Sequence, residues 1–134
     1  MDFEGKSVII TGASGGIGSE TARLFAEKGA NITVNYFSSP EKAEKAVKTV
    51  RSLGSKAFSF KADVSNPKEV SLMIKETMKT FGRIDVLVNN AAKHPPPFFD
   101  FDKPDWEYWT RMMYVNVMGI LVCSHFAALY LKKT

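Results

Sequence analysis

Apolar residues along the chain alternate between short runs and helical stripes. Residues 7–11 (SVIIT) are an apolar run that stops at a glycine, the pattern of a buried strand. In residues 16–28, Ile17, Thr21, Leu24 and Phe25 fall at helical spacing, and Gly29 ends the helix. Residues 31–36 (NITVNY) are β-branched and predict a second strand. Pro40 in a first turn opens a helix whose Ala43, Ala46, Val47 and Val50 share one face, up to Gly54. Residues 57–61 (AFSFK) predict a third strand. Asn66-Pro67 opens a helix carrying Val70, Met73, Ile74 and Met78, closed near Gly82. Residues 84–89 (IDVLVN) predict a fourth strand. An irregular stretch, 93–103, holds Pro95, Pro96 and Pro97, and a last helix runs from Pro104-Asp105 to about Leu131.

Strands separated by helices of ten to fifteen residues imply parallel pairing through right-handed crossovers. The expected fold class is therefore α/β, with helices covering both faces of an open parallel sheet. The 134 residues suit one domain, and no linker or repeat divides them. With 45% hydrophobic and 24% charged residues, disorder and fibrous repeats are excluded. The lone Cys123 forms no internal disulfide, and its apolar neighbours predict a buried thiol. The net charge of +4 comes from lysines and arginines mixed with acids on polar helix faces, so no nucleic-acid surface is expected. The N-terminus has no basic, apolar leader pattern. Asn116, Ser124 and His125 interrupt the apolar stretch 112–131, so no membrane span is expected. A cytoplasmic location, or an organelle matrix, follows as the expectation. No residue spacing suits a metal.

The first strand runs into Thr11-Gly12-Ala13-Ser14-Gly15-Gly16-Ile17-Gly18, which opens the first helix. Glycines allow a tight turn and a close backbone approach to a pyrophosphate, while the helix start offers free N–H groups and a positive dipole end. Side chains at Gly12, Gly16 or Gly18 would block that approach or the packing of helix on strand. The setting between strand and helix is that of a dinucleotide-binding Rossmann-type fold, doubly wound, with its four strands in the expected order 3-2-1-4. No Gly-Lys-Ser/Thr follows, which excludes a P-loop.

The spacing Gly-x-x-x-Gly-x-Gly resembles the short-chain dehydrogenase/reductase family, most closely its 3-oxoacyl-carrier-protein reductase and glucose dehydrogenase types. The resemblance runs along the whole chain. It implies that the glycine loop (Thr11, Gly12, Ser14, Gly15, Gly16, Ile17, Gly18) holds the cofactor. It implies that Asp63 and Val64 contact adenine; read alone, Asp63 caps a turn before Ser65. Asn89-Asn90-Ala91-Ala92 resembles the family's Asn-Asn-Ala-Gly, with Ala92 departing from Gly, and puts Asn89 and Ala91 beside the cofactor. Asn116 resembles the helix asparagine that supports the catalytic proton relay. A polar residue inside an apolar helix also predicts a hydrogen-bond partner.

Nicotinamide preference is read at the end of the second strand, where an acid selects the ribose 2′-OH of NAD. Tyr36 stands there, followed by Phe37, Ser38 and Ser39. With no acid to repel a 2′-phosphate, NADP(H) is favoured over NAD(H), although the family's basic clamps are missing at Gly15 and Phe37. Ser38, Ser39 and Lys42 are the substitutes. The family's catalytic Ser, Tyr and Lys are expected on a fifth strand and helix, and the chain ends at Thr134 before them. Tyr130-Leu131-Lys132-Lys133-Thr134 mimics the motif but has Thr where Lys is needed.

The resemblance thus implies the cofactor-binding portion of an oxidoreductase acting on a small alcohol or carbonyl, incompetent by itself. A non-catalytic dinucleotide-binding or interaction module is the alternative. The apolar last helix would be the face of a homo-oligomer. His94 reads as exposed or packed, and Phe98, Phe99, Phe101, Trp106, Tyr108 and Trp109 line an apolar pocket or a partner surface, or form the core where the loop packs on the last helix.

Overall fold

A computed structural model describes residues 2–96 and 100–131. The order is β1 (Ser7–Ile10), α1 (Gly16–Glu27), β2 (Asn31–Tyr36), α2 (Pro40–Ser52), β3 (Ala57–Lys61), α3 (Pro67–Phe81), β4 (Val86–Val88) and a long last helix. That helix is α4 (Trp106–Met113), a π turn (Tyr114–Met118) and α5 (Gly119–Leu131) in direct succession. The four strands are parallel and ordered β3-β2-β1-β4, as the alternation of elements implied.

The strands alternate between two cores, as a period of two requires. Val8 and Ile10 face α1 and α2, joined by Ile32, Val34, Ala43, Val47 and Val50. Ile9 faces the other way, toward Val70, Met73 and Ile74 of α3 and Val122, Cys123 and Ala127 of α5. Helices therefore cover both faces. Cys123 is buried, and burial pushes its thiol up to about 12.

Local chemistry sets the boundaries. The Asn66 side chain accepts from the N–H groups of Lys68 and Glu69, Pro67 sits in the first turn, and Gly82 ends α3 at φ 75°. Asp105 caps the last helix by accepting from Tyr108 N, so the helix starts at Trp106, two residues later than Pro104 suggested. β4 is shorter than its apolar run: Ile84, Asp85 and Asn89 fall outside it, and the Asp85 carboxylate, not its carbonyl, accepts from Ser7 N. The π turn has no signature in the sequence.

Among the described residues β4 pairs with β1 alone, leaving its other edge open. The last helix also keeps an apolar face in solvent, including Met113, Val117, Ile120, Leu121 and Leu129. By length and apolarity the segment Trp106–Leu131 could cross a membrane, yet α5 packs on α3 and β4 here. The described aromatic residues resolve one open reading: Trp106 and Phe101 each meet the Trp109 ring edge to face, and both stay exposed. They form a surface cluster rather than core. Pro97, Phe98, Phe99 and the tail 132–134 lie outside the described residues.

Candidate functional site

β1 leads outward on one side to β2 and β3, while β4 returns to its other side. Loops that follow adjacent strands thus part at the carboxyl end of β1, where open α/β sheets take their ligands. A cleft of about 740 Å³ lies there, walled by the loops after β1, β2, β3 and β4 and by α4. A second groove of about 650 Å³ sits at the opposite ends of the strands, among Asp2, Glu4, Gly29 and Lys56.

The glycine loop is shaped by close approaches. Gly12 has φ +62°, and a Cβ there would stand 2.8 Å from Ala91 Cα. At Gly18 a Cβ would stand 2.4 Å from the Gly12 carbonyl oxygen. Gly15 precedes α1 with extended backbone and no side-chain cap, so the first N–H groups of the helix face the cleft. Asn35 holds this loop from β2. Its Oδ1 accepts from Gly12 N at 3.1 Å, and its Nδ2 donates to Ala62 O at 3.1 Å. Thr11 Oγ1 accepts from the N–H groups of Asn90 and Ala91, each at 3.0 Å. Asn90 Nδ2 returns bonds to the carbonyls of Thr11 and Gly12.

Asp63 lines the cleft at the end of β3. Its Oδ1 accepts from Ser65 N at 2.9 Å and Ser65 Oγ at 2.7 Å, and its Oδ2 from Arg111 Nη2 at 2.5 Å. Partial burial pushes this carboxyl up, but the bonds from Ser65 and Arg111 outweigh it and hold it below the usual carboxylate range. Asn116, in the π turn, clamps the loop after β4: Oδ1 accepts from Lys93 N at 2.7 Å and Nδ2 donates to Lys93 O at 2.9 Å. The basic side chains on the walls are Lys42, Lys93 and Arg111, against the single acid Asp63, among the described residues. The cleft suits a polyanion.

The expected site residues divide into three groups. Ser14, Gly15, Gly16, Ile17, Ser38, Asp63, Val64 and Ala91 line the cleft with Gly12. Thr11 and Gly18 stand behind the wall and shape it. Asn89 and Tyr36 do not face it. Successive strand residues point to opposite sides, so Tyr36 packs on the first core while Asn35 and Phe37 face the cleft. Just beyond β4, Asn90 lines the cleft, whereas Asn89 reaches Ser124 on α5.

The model for the short chain dehydrogenase family matches residues 6–134. The chain belongs to this family. Among its relatives, an uncharacterized oxidoreductase of Thermotoga maritima is 39% identical over 99% of the chain and 51% of the relative. A 3-oxoacyl-acyl-carrier-protein reductase of Staphylococcus aureus is 49% identical over 88% of the chain and 47% of the relative. A short chain dehydrogenase from Burkholderia cenocepacia, solved in complex with NADP, superposes with a TM-score of 0.91 at 31% identity, covering 98% of this chain and 53% of that one. The chain spans about half the length of the relatives it matches.

Asn35, Asn90, Lys93 and Arg111 also line the cleft, beyond the residues expected from the sequence. Asn35 had a signal: a polar residue in a β-branched strand, fully buried, needs partners. Arg111 had none, because its partners stand 46 and 48 residues away along the chain.

Proposed function

We propose that the chain is the cofactor-binding portion of an oxidoreductase that interconverts a small alcohol and a carbonyl, using NADP(H) in preference to NAD(H). The observation that carries this reading is the glycine cradle at the carboxyl end of β1, where Gly12 and Gly18 leave no room for a Cβ and Gly15 is open to the cleft. That cradle and three basic side chains fit a dinucleotide. The relative solved with NADP supports the choice of ligand.

In this reading the start of α1 receives the pyrophosphate. Asp63 and Val64 receive adenine. Ser38, Ser39 and Lys42 receive the 2′-phosphate, replacing the basic residues absent at Gly15 and Phe37. Asn90, Ala91 and Lys93 border the far end, and Asn116 fixes that border through the Lys93 backbone. Asn116 is a positioning residue here, since both ends of its amide are taken by Lys93. When bound, the nicotinamide supplies a hydride donor or acceptor. The family's proton-transferring Tyr and Lys have no counterpart in these 134 residues. Loss of general acid–base help alone costs about 10²–10⁴-fold in rate, so the isolated chain is expected to bind cofactor and to turn over at least that much more slowly than a chain with the Tyr and Lys.

Calorimetric titration with NADPH and NADH tests the reading. Micromolar NADPH binding with weaker NADH binding is expected. A folded chain that binds neither refutes it.

A further inference from the structure

We propose that Arg111 is a positioning residue for dinucleotide binding: from the last helix it holds the Asp63 carboxylate in the orientation that would receive an adenine amino group. This inference rests on the function proposed above.

The acceptor sites of Asp63 are unequally used. A carboxylate oxygen accepts about two hydrogen bonds. Oδ1 already has two, from the backbone and the hydroxyl of Ser65. Oδ2 has one, from Arg111. The acceptor capacity left for a ligand is therefore on Oδ2, the oxygen that Arg111 orients. Arg111 closes a ring, because its other terminal nitrogen donates to Ser65 Oγ at 3.0 Å. A planar guanidinium with two fixed donors sets the plane of its partner as a lysine does not. The Phe37 ring lies 6.0 Å from the guanidinium carbon, on the wall that both residues share.

The helix that carries Arg111 is itself held against this part of the fold. A Cβ at Gly119 would stand 2.6 Å from Val64 Cγ2, so helix and adenine-side turn touch directly next to Asp63. On the other side of the cleft, Asn116 grips Lys93. Arg111 and Asn116 stand five positions apart, and on a regular α-helix they would diverge by about 140°. The wider π turn that begins at Tyr114 and carries Asn116 narrows that divergence, so one helix braces both walls. A purely stabilising role for the ion pair is the weaker account. The Arg111 side chain is 39% exposed, and such pairs contribute little to stability.

The test compares NADPH with its hypoxanthine analogue, which carries a carbonyl in place of the adenine amino group. Binding of both is measured for the wild-type chain, R111A, R111M, R111K, D63N and the double variant D63N/R111A. The wild type prefers the adenine form by about tenfold. R111A and R111M bring that ratio close to one by weakening the adenine form, and R111M keeps the side-chain stem should R111A fail to fold. R111K retains part of the preference. D63N matches R111A, and the double variant loses nothing further, because Arg111 acts through Asp63. An unchanged ratio in R111A and R111M overturns the inference, whatever happens to absolute affinity. Equal binding of both forms by the wild type overturns it too, while leaving the proposed function standing. A wild type that binds neither form refutes both.

Discussion

Replacing Gly18 by alanine inserts one methyl group where three backbone or anchored atoms already meet. The new Cβ would lie 2.4 Å from the Gly12 carbonyl oxygen, 2.6 Å from Asn90 Nδ2 and 2.9 Å from Ala13 Cα. None of these is the free end of a flexible side chain. Either α1 moves off β1 or the Asn90 amide is displaced. Overpacking of this kind costs about 1–3 kcal/mol. Displacing Asn90 forfeits bonds to Thr11 O and Gly12 O, at about 1 kcal/mol each. Better helix propensity of alanine returns at most about 1 kcal/mol. Helix shift and Asn90 displacement together, less that return, give a net loss of about 2–4 kcal/mol, or a fall in Tm of about 6–20 °C for a domain this size. Urea unfolding followed by circular dichroism measures it. Gly15→Ala is the control: nothing lies within 4 Å of its Cβ, and the loss stays below about 1 kcal/mol. Equal stability of Gly18→Ala and wild type would refute the close-approach reasoning.

Three further outcomes are expected. In Gly119→Ala the methyl meets the buried, stiff Val64, so stability falls by about 1–3 kcal/mol in denaturant unfolding. Asp85 is partly buried, which raises its pKa, but Arg83, the Ser7 N–H and Lys6 lower it more, so its folded pKa is depressed. Its contribution is then full above the unfolded value of about 4 and is lost as pH falls through the folded value. Asp85→Asn therefore destabilises the chain at pH 7, and the gap from wild type closes in acid-unfolding curves below about pH 4. Lys42→Ala weakens NADPH binding by about fivefold while NADH binding stays the same, measured by calorimetry.

Much of this architecture is local enough to be written in the sequence. β2 and β3 match their apolar runs residue for residue, and Asn66, Pro67 and Gly82 mark α3 because caps act within one turn. The glycine loop is legible because its spacing reflects what backbone must approach a phosphate. The side-chain assignments at strand ends are not so plain. Asn89 and Asn90 are the same residue type, one step apart, and only strand register decides which faces the cleft. Tyr36 yields to Asn35 and Phe37 for the same reason. The Arg111–Asp63–Ser65 ring joins a helix to a turn far away in sequence, and no periodicity encodes such a contact.

In the proposed function a nicotinamide dinucleotide occupies the cleft at the carboxyl end of β1. Amide chemical-shift mapping of the labelled chain during an NADPH titration tests it most directly. The largest shifts are expected on Gly12, Gly15, Gly16, Ile17, Asp63, Val64, Asn90 and Ala91. No shifts, or shifts centred on the opposite groove around Glu4, Gly29 and Lys56, would contradict it.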